Sequence, residues 1–198
     1  MKTIGLTGGI GSGKSTLANW FLEKGIPVYN SDEQAKKLLN EDESLKNRLI
    51  AEFGIETYKN GVYNRNYISS IVFKKPEALK KLNKIVHPAV FRHFNKWLNE
   101  QKADYVVKEA AILFESGSWK DCDAIISVVA DVEIRIRRVM NRDQVSAQQV
   151  KNRIKNQWTD EQRIEKSNFI VHNNGGINEF KQEFEKLFLE LQQQYCSK

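Results

Sequence analysis

Several features that assign a protein to a specialised class are scarce or absent in this chain of 198 residues. It has only two cysteines, Cys122 and Cys196, whose spacing fits neither a metal site nor a disulfide framework. No apolar run approaches the roughly 18 residues of a membrane span. Met1 leads almost directly into a predicted strand, so we expect no signal peptide. In the absence of internal repeats and low-complexity tracts, we expect a soluble, cytoplasmic globular protein.

The overall composition is that of an ordinary globular domain. Hydrophobic residues make up 40% of the chain and charged residues 28%, and the length suits one domain with an insertion. The formal net charge of +6 favours anionic partners. From charge alone, these could be nucleic acid or a small phosphorylated ligand.

A glycine-rich stretch near the amino terminus carries the clearest chemical signal. Residues 8–15 read Gly-Gly-Ile-Gly-Ser-Gly-Lys-Ser and match G-x-x-x-x-G-K-[ST], the pattern of phosphate-binding loops (P-loops). A strand predicted over residues 2–6 precedes the loop and a helix predicted over 16–24 follows it, as the pattern requires. The dinucleotide pattern G-x-G-x-x-G is not matched, because Lys14 occupies the position of its third glycine.

The residue types of this loop suit a nucleoside triphosphate with its metal ion. Gly8, Gly11 and Gly13 allow positive φ and let backbone N–H groups approach the phosphates, and the start of the next helix adds its positive dipole end. We expect Lys14 to reach the β- and γ-phosphates and Ser15 to offer its hydroxyl to Mg²⁺. The predicted nucleotide contacts are Gly8, Gly9, Gly11, Ser12, Gly13, Lys14, Ser15 and Thr16.

Two carboxylates follow predicted strands. Asp32 comes after a strand predicted over residues 26–29, and Glu109 lies near the end of one predicted over 103–112. Ligands of open α/β sheets bind at the carboxyl ends of strands. Asp32 could therefore act as a base toward an acceptor hydroxyl or as a partner of Mg²⁺. The alternative is that Asp32 only interacts favourably with the positive end of a helix dipole. Glu109 is a candidate to hold Mg²⁺ through water.

The strand pattern predicts a parallel sheet. Residues 124–129 form an apolar run interrupted by Ser127 alone, typical of a strand buried on both faces. Another strand is predicted over 168–172. The mostly helical residues 41–101 are too many for a simple crossover, since a whole βαβ unit needs only about 30. His87-Pro88 is predicted to break a helix there, and His87 could contact an acceptor or be purely structural.

The segment from residue 135 to 163 is rich in arginine. It holds six arginines and two lysines against three acids. Arg138 and Arg142 are four residues apart, so they share a helix face and could straddle the β- and γ-phosphates. A solvated basic helix or nucleic-acid contact is the alternative, but Trp158 is the segment's sole aromatic residue for base stacking. We therefore favour a helical lid that closes over the nucleotide.

Capping signals mark three helix starts, and a strong turn precedes the last helix. Residues 173–176 read Asn-Asn-Gly-Gly and could line an adenine pocket with backbone groups. A serine or threonine followed three residues later by glutamine predicts a capping box. The pairs are Ser31 with Gln34, Ser146 with Gln149, and Thr159 with Gln162.

These motifs together resemble those of the dephospho-CoA kinase family. They run in family order over residues 4–175, and the stretch Leu-Thr-Gly-Gly-Ile-Gly-Ser-Gly-Lys-Ser-Thr is itself close to diagnostic. The matching stretches are residues 6–16, Ser31-Asp32, Phe53-Gly54, residues 61–65, Val72-Phe73, His87-Pro88, residues 112–115, residues 138–143, Gln157 and Asn173-Asn174-Gly175.

The resemblance implies an α/β fold: a P-loop NTPase with three α/β/α layers, a parallel sheet, an inserted helical acceptor-binding region and a helical lid. It implies a single domain over residues 1–198 that phosphorylates the ribose 3′-hydroxyl of dephospho-CoA with ATP and Mg²⁺, the last step of coenzyme A biosynthesis. The implied parts are a core over about 1–40, 103–134 and 167–198, an acceptor region over about 41–102 and a lid over about 135–166.

The resemblance also implies site residues. It places Asp32 near the acceptor hydroxyl and Arg142 near the phosphates, with Arg138 as a second candidate for the cationic clamp. The expected substrate contacts are Thr7, Asp32, Arg65, His87 and Glu115. The expected metal partners are Ser15, Asp32 and Glu109, and Asn174 and Gly175 are expected to contact the nucleotide.

This chain departs from the family pattern at three positions. Asn30 stands where the family usually has the first aspartate of Asp-x-Asp, Ala111 replaces a proline, and Glu109 stands where some members carry aspartate. The loss of the first carboxylate leaves Asp32 as the retained acid of its pair.

Two other functions compete with this one. A kinase for another nucleoside, nucleotide or small hydroxyl compound would have the same loop and lid. A GTP-driven switch would need Asp-x-x-Gly and Asn-Lys-x-Asp motifs, which the chain lacks, and a nucleic-acid-binding ATPase would show stimulated turnover. We expect a small-molecule acceptor, no nucleic-acid or membrane partner, and a monomer or small homo-oligomer.

Overall fold

The computed structural model describes residues 1–196. The chain forms two compact units, one made of Met1–Asn30 with the chain from Lys102 onward, the other of Ser31–Gln101. In chain order the elements are β1 (Lys2–Gly8), α1 (Lys14–Glu23), β2 (Val28–Asn30), α2 (Ser31–Glu41), α3 (Glu43–Phe53), β3 (Tyr58–Lys59), β4 (Val62–Tyr63), α4 (Arg65–Val72), α5 (Pro76–Asn99), β5 (Tyr105–Glu109), β6 (Ala124–Val129), α6 (Val132–Asp143), α7 (Ala147–Ile154), α8 (Asp160–Lys166), β7 (Phe169–His172) and α9 (Ile177–Tyr195).

The first unit is built on a five-stranded parallel sheet in the order β2-β5-β1-β6-β7. All five predicted strands are present, and the predicted parallel sheet is confirmed. The strand β1 is central, so the glycine-rich loop that follows it leaves the middle of the sheet at its carboxyl edge. That edge is where open α/β sheets bind ligands.

Helices cover both faces of this sheet. Side chains of a strand alternate between the two faces, and β6 shows the consequence. Ala124, Ile126 and Val128 pack in the main core with α1 and α9. Ile125 points to the opposite face, where it packs with Leu113 and other buried residues before β6. Ser127 lies on that same face, and its hydroxyl is hydrogen-bonded to that of Ser167 at the end of α8 at 2.8 Å. The predicted three-layer α/β/α arrangement is therefore confirmed.

The second unit is mainly helical and has its own core. Buried Leu45 and Leu49 of α3 pack against Ile85 and Ala89 of α5. The short strands β3 and β4 pair in an antiparallel hairpin, which the sequence did not predict. No helix in residues 1–196 is long and apolar enough to cross a membrane.

The predicted helix break at His87-Pro88 is wrong. The helix α5 is 24 residues long and passes through Pro88 without a break. Proline inside a helix removes one backbone hydrogen bond and costs about 3 kcal/mol or more. The burial of Ile85 and Ala89 on either side of Pro88, in the core of this unit, offsets that cost.

One of the three predicted capping boxes is also wrong. Ser31 is the first helical residue of α2 rather than its cap, and its buried hydroxyl has no hydrogen-bond partner within residues 1–196. The chain passes directly from β2 into α2, which leaves no extended residue between them to act as the cap. The boxes at Ser146 and Thr159 are both formed.

Candidate active site

The loop between β1 and α1 has the backbone conformation that its glycines predict. Gly8, Gly11 and Gly13 have φ values of +153°, +79° and +107°. Close packing adds a second requirement for glycine. A Cβ on Gly11 would lie 2.7 Å from the carbonyl oxygen of Arg135, and one on Gly13 would overlap the Asn173 amide. The loop is therefore pressed against α6 and against the segment after β7.

Three hydrogen bonds hold this loop in place. The Ser12 N–H donates to the Gly9 carbonyl at 3.1 Å, and the Ile10 N–H donates to Oε1 of Gln157 at 2.9 Å. The Asn173 side-chain amide donates to the Ser12 carbonyl at 2.7 Å. Because distant residues supply two of these bonds, the tertiary fold sets the shape of the loop before any ligand binds.

The start of α1 supplies the groups that an anion would meet. Its first-turn N–H groups lack acceptors within the helix, and the helix dipole is positive at that end. Lys14 is buried there and Ser15 is exposed. The Ser12 hydroxyl is buried without a hydrogen-bond partner in the described chain. An orphaned donor beside a glycine loop fits a phosphate ligand.

The carboxyl edge of the sheet carries one buried carboxylate beside the loop strand. Glu109 pairs in register with Leu6 of β1 and with Asn30 of β2. The Asn30 amide donates to Oε2 of Glu109 at 2.7 Å. The amide that replaces the family's first aspartate is thus a donor to this acid, where a second carboxylate would repel it.

This donor set suits Mg²⁺, which prefers oxygen ligands and is commonly held by one or two carboxylates together with substrate phosphates. The first unit offers the Ser15 hydroxyl and the Glu109 carboxylate. Within residues 1–196, no cluster of three or more His, Cys, Asp or Glu side chains could hold a metal alone. A metal site here would therefore depend on the nucleotide for several of its ligands.

The two predicted clamp arginines have separate partners in this structure. Arg138 donates to the carbonyl of Asn173 at 2.9 Å and to that of Gly175 at 3.3 Å. Arg142 is mostly exposed and pairs with Asp143 at 2.7 Å. The Arg142 hydrogen bond is the main reason that the pKa of Asp143 is lowered. In a clamp role, either arginine would share its N–H donors between these partners and the phosphates, or exchange one for the other.

The turn after β7 joins the nucleotide loop to α6. Asn174 and Asp131 exchange two hydrogen bonds of 2.8 and 2.9 Å. Asn173, which was predicted as part of this turn but not as a separate site residue, bonds both Ser12 and Arg138. The adenine-side assignment of Asn174 and Gly175 remains a prediction.

A buried ion-pair network lies behind the loop. Arg163 is fully buried and donates to Asp160 at 3.1 Å and to Glu115 at 3.4 Å. Arg135 is also buried and pairs with Asp160 at 3.4 Å. Burial lowers the pKa of Arg163, although the two carboxylates oppose the shift. Glu115, predicted to bind substrate, also accepts the Trp158 N–H at 2.8 Å.

Replacing Arg163 by methionine is expected to destabilise the protein by about 3 kcal/mol or more, because the largely buried Glu115 would lose its ion pair and Asp160 would keep only Arg135. Urea unfolding would measure the free-energy change. The matched change Arg137→Met, on the exposed side of α6, should cost less than about 0.5 kcal/mol. A loss below about 1 kcal/mol for Arg163→Met would show that the network contributes little.

The other predicted substrate residues are Thr7 in the first unit and Asp32, Arg65 and His87 in the second. Thr7 is fully buried in β1, and its hydroxyl has no hydrogen-bond partner within the described residues. In the second unit, Asp32 is exposed in the first turn of α2 and Arg65 is exposed at the start of α4. His87 is half-buried in α5, and burial lowers its pKa, so it is neutral at pH 7. A neutral imidazole suits hydrogen bonding rather than charge pairing.

A parallel sheet whose central strand enters a glycine loop, followed by a buried lysine at a helix start, defines a P-loop nucleotide-binding protein. The sequence pattern of the dephospho-CoA kinase family matches residues 2–179. A dephospho-CoA kinase of Fusobacterium nucleatum is 40% identical over 185 residues, covering 92% of this chain and 95% of that protein. The chain therefore belongs to the dephospho-CoA kinase family, and it is a kinase.

Solved structures agree with this assignment. A dephospho-CoA kinase from Campylobacter jejuni is 26% identical, with a TM-score of 0.71 over 97% of this chain and 98% of that one. A Thermus thermophilus protein is 32% identical, with a TM-score of 0.82 over 96% of this chain and 97% of that one. The fold predicted from the sequence is thus the fold of the family.

Proposed function

We infer that this protein transfers the γ-phosphoryl group of ATP to the ribose 3′-hydroxyl of dephospho-CoA. The products are coenzyme A and ADP, and the reaction is the last step of coenzyme A biosynthesis. Membership of the dephospho-CoA kinase family over nearly the whole chain carries this conclusion. The loop is held in shape by hydrogen bonds to distant residues, and the buried Lys14 follows it, which suits the binding of the ATP phosphates.

We assign charge stabilisation to the loop and to Lys14. Phosphoryl transfer depends mainly on positioning and on stabilising charge at the phosphoryl oxygens. The N–H groups of the loop and the Lys14 ammonium would contact the β- and γ-phosphates. Ser15 and Glu109 would hold Mg²⁺, with Asp32 as a further partner or as the base. Mg²⁺, when bound, supplies further neutralisation of the phosphate charge.

We assign the acceptor to the second unit and to its three predicted contacts. Asp32 would orient or deprotonate the 3′-hydroxyl, and Arg65 and His87 would bind the rest of dephospho-CoA. The exposed guanidinium of Arg65 suits a pyrophosphate. Thr7 and Glu115 would act from within the fold, since both are largely enclosed by protein.

We also propose that residues 135–166 act as the lid of a three-part enzyme with a core and an acceptor region. The lid would bring Arg138 or Arg142 to the phosphates when ATP is bound, by movement outside the fixed stretch from Gln157 to Arg163. We further expect a cytoplasmic enzyme that needs no nucleic acid or membrane, as a monomer or small homo-oligomer.

The test is ADP release by the purified protein with Mg²⁺ and ATP, comparing dephospho-CoA with adenosine, AMP and pantothenate. We expect release only with dephospho-CoA, and a product with the mass of coenzyme A. Release with another of these acceptors would keep the kinase chemistry and change the substrate. ATP binding with no acceptor-dependent release would contradict the proposal.

A further inference from the structure

The phosphate-binding loop is attached to the segment between α7 and α8 through one residue, Ile10. Its N–H donates to Oε1 of Gln157 at 2.9 Å. Its side chain packs into the apolar cluster of α6 and α7, beside buried Val139 and Val150. Both the main chain and the side chain of Ile10 are therefore held by the arginine-rich part of the chain.

The residues around Gln157 are themselves firmly fixed. The next residue, Trp158, donates its N–H to Glu115 at 2.8 Å, and its ring stacks on Phe114 with centroids 5.0 Å apart and planes 2° apart. Glu115 in turn pairs with fully buried Arg163. Gln157 thus reaches the loop from a segment that the core of the first unit holds in place.

This bond has a consequence for ATP binding. A glycine-rich loop loses much conformational freedom when it is ordered. If part of that freedom is already lost in the free protein, less is lost on binding, and a ligand binds more tightly for the same contacts. The Ile10 N–H already donates to Gln157, so this bond does not place a donor on the phosphates. The effect of Gln157 is therefore on the shape of the loop.

We propose that Gln157 is a positioning residue, which holds the phosphate-binding loop in its ATP-binding shape by accepting the Ile10 N–H. It thereby couples the loop to the arginine-rich segment. The kinetic consequences of this inference rest on the proposed kinase function. Its consequences for loop protection and nucleotide affinity do not.

The test compares two replacements of similar length. Gln157→Met removes the acceptor oxygen, and Gln157→Glu keeps one. In Gln157→Met we expect the Ile10 amide to exchange with solvent about 3- to 10-fold faster, and ATP to bind about 3- to 10-fold more weakly, the worth of one such bond. In Gln157→Glu the Ile10 amide should exchange within about 2-fold of wild type, because the acceptor remains.

Hydrogen exchange resolved at Ile10 and calorimetric titration with ATP alone give these two readouts. In turnover assays the KM for ATP should rise by the same factor in Gln157→Met. The kcat at saturating ATP and the KM for dephospho-CoA should stay within about 2-fold of wild type, because the bond affects nucleotide binding rather than the transferred group.

The control is Gln162→Met in the same stretch of chain. The Gln162 side chain accepts the Thr159 N–H in a capping box at 2.9 Å. Its loss should lower the melting temperature and leave Ile10 exchange and ATP affinity unchanged. An equal loss of ATP affinity in Gln162→Met would overturn the proposal, since general loosening would then explain the effect.

Two further outcomes would overturn the proposal. One is wild-type ATP affinity in Gln157→Met. The other is an Ile10 amide that already exchanges in the wild-type protein as fast as an unprotected loop amide, a result that needs no variant to fold. Failure of the wild type to phosphorylate dephospho-CoA would contradict the proposed function, while exchange and ATP binding would still decide the role of Gln157.

Discussion

Replacing Lys14 by alanine is expected to lower phosphoryl transfer at saturating ATP by about 10³-fold, the upper end of what one preorganised charge-stabilising group supplies. Lys14 is buried in the first turn of α1, directly after the glycine loop. A fixed ammonium in a site with little water stabilises charge on the γ-phosphoryl oxygens more than solvent does. ATP binding should also weaken, because in the proposed role the same ammonium would contact the phosphates before transfer.

ADP release with dephospho-CoA measures the first effect, and calorimetric titration with ATP measures the second. The matched control is Lys24→Ala at the end of the same helix, where Lys24 is ion-paired with Glu185 at 2.8 Å. We expect its turnover within about 2-fold of wild type, as for a surface ion pair. A Lys14→Ala protein that is folded and keeps a tenth of the wild-type turnover would contradict the role given to Lys14.

The sheet could be predicted because its signals are local. The apolar run of β6 and the glycine loop after β1 each lie within a few consecutive residues, and their meaning does not depend on distant parts of the chain. The path of α5 through Pro88 could not be predicted in this way. It depends on the burial of Ile85 and Ala89 against α3, which a local rule about proline does not include.

The same distinction applies to the site. The loop motif predicted the positive φ values, but the acceptor for the Ile10 N–H lies 147 residues away and the donor to Ser12 lies 161 residues away. Gln157 had no signal besides the quoted family motifs, and Asn173 had those motifs and the Asn-Asn-Gly-Gly turn, neither of which names its partners. The burial of Arg135 had no signal, because a buried arginine and a solvated one look alike in a basic helix.

Asp32→Asn is expected to lower turnover by about 10³-fold, within the range for a positioned acid or base, and to leave ATP affinity within about 2-fold of wild type. Asp32 follows the strand β2 by two residues and is exposed in the first turn of α2. An amide of the same shape can accept a hydrogen bond from an acceptor hydroxyl but cannot take its proton. Single-turnover assays with dephospho-CoA, together with ATP titration, separate the chemical step from binding.

Glu33→Gln provides the control, because Glu33 is an exposed acid in the same helical turn. If Asp32 only interacted favourably with the dipole of α2, Asp32→Asn and Glu33→Gln would lower stability by a similar amount. Neither change would then reduce turnover strongly. If Asp32 contacts Mg²⁺, Asp32→Asn should also raise the Mg²⁺ concentration needed for half-maximal rate, whereas a pure base would leave that concentration unchanged. Wild-type turnover in Asp32→Asn would exclude both catalytic roles and leave only the effect on the helix.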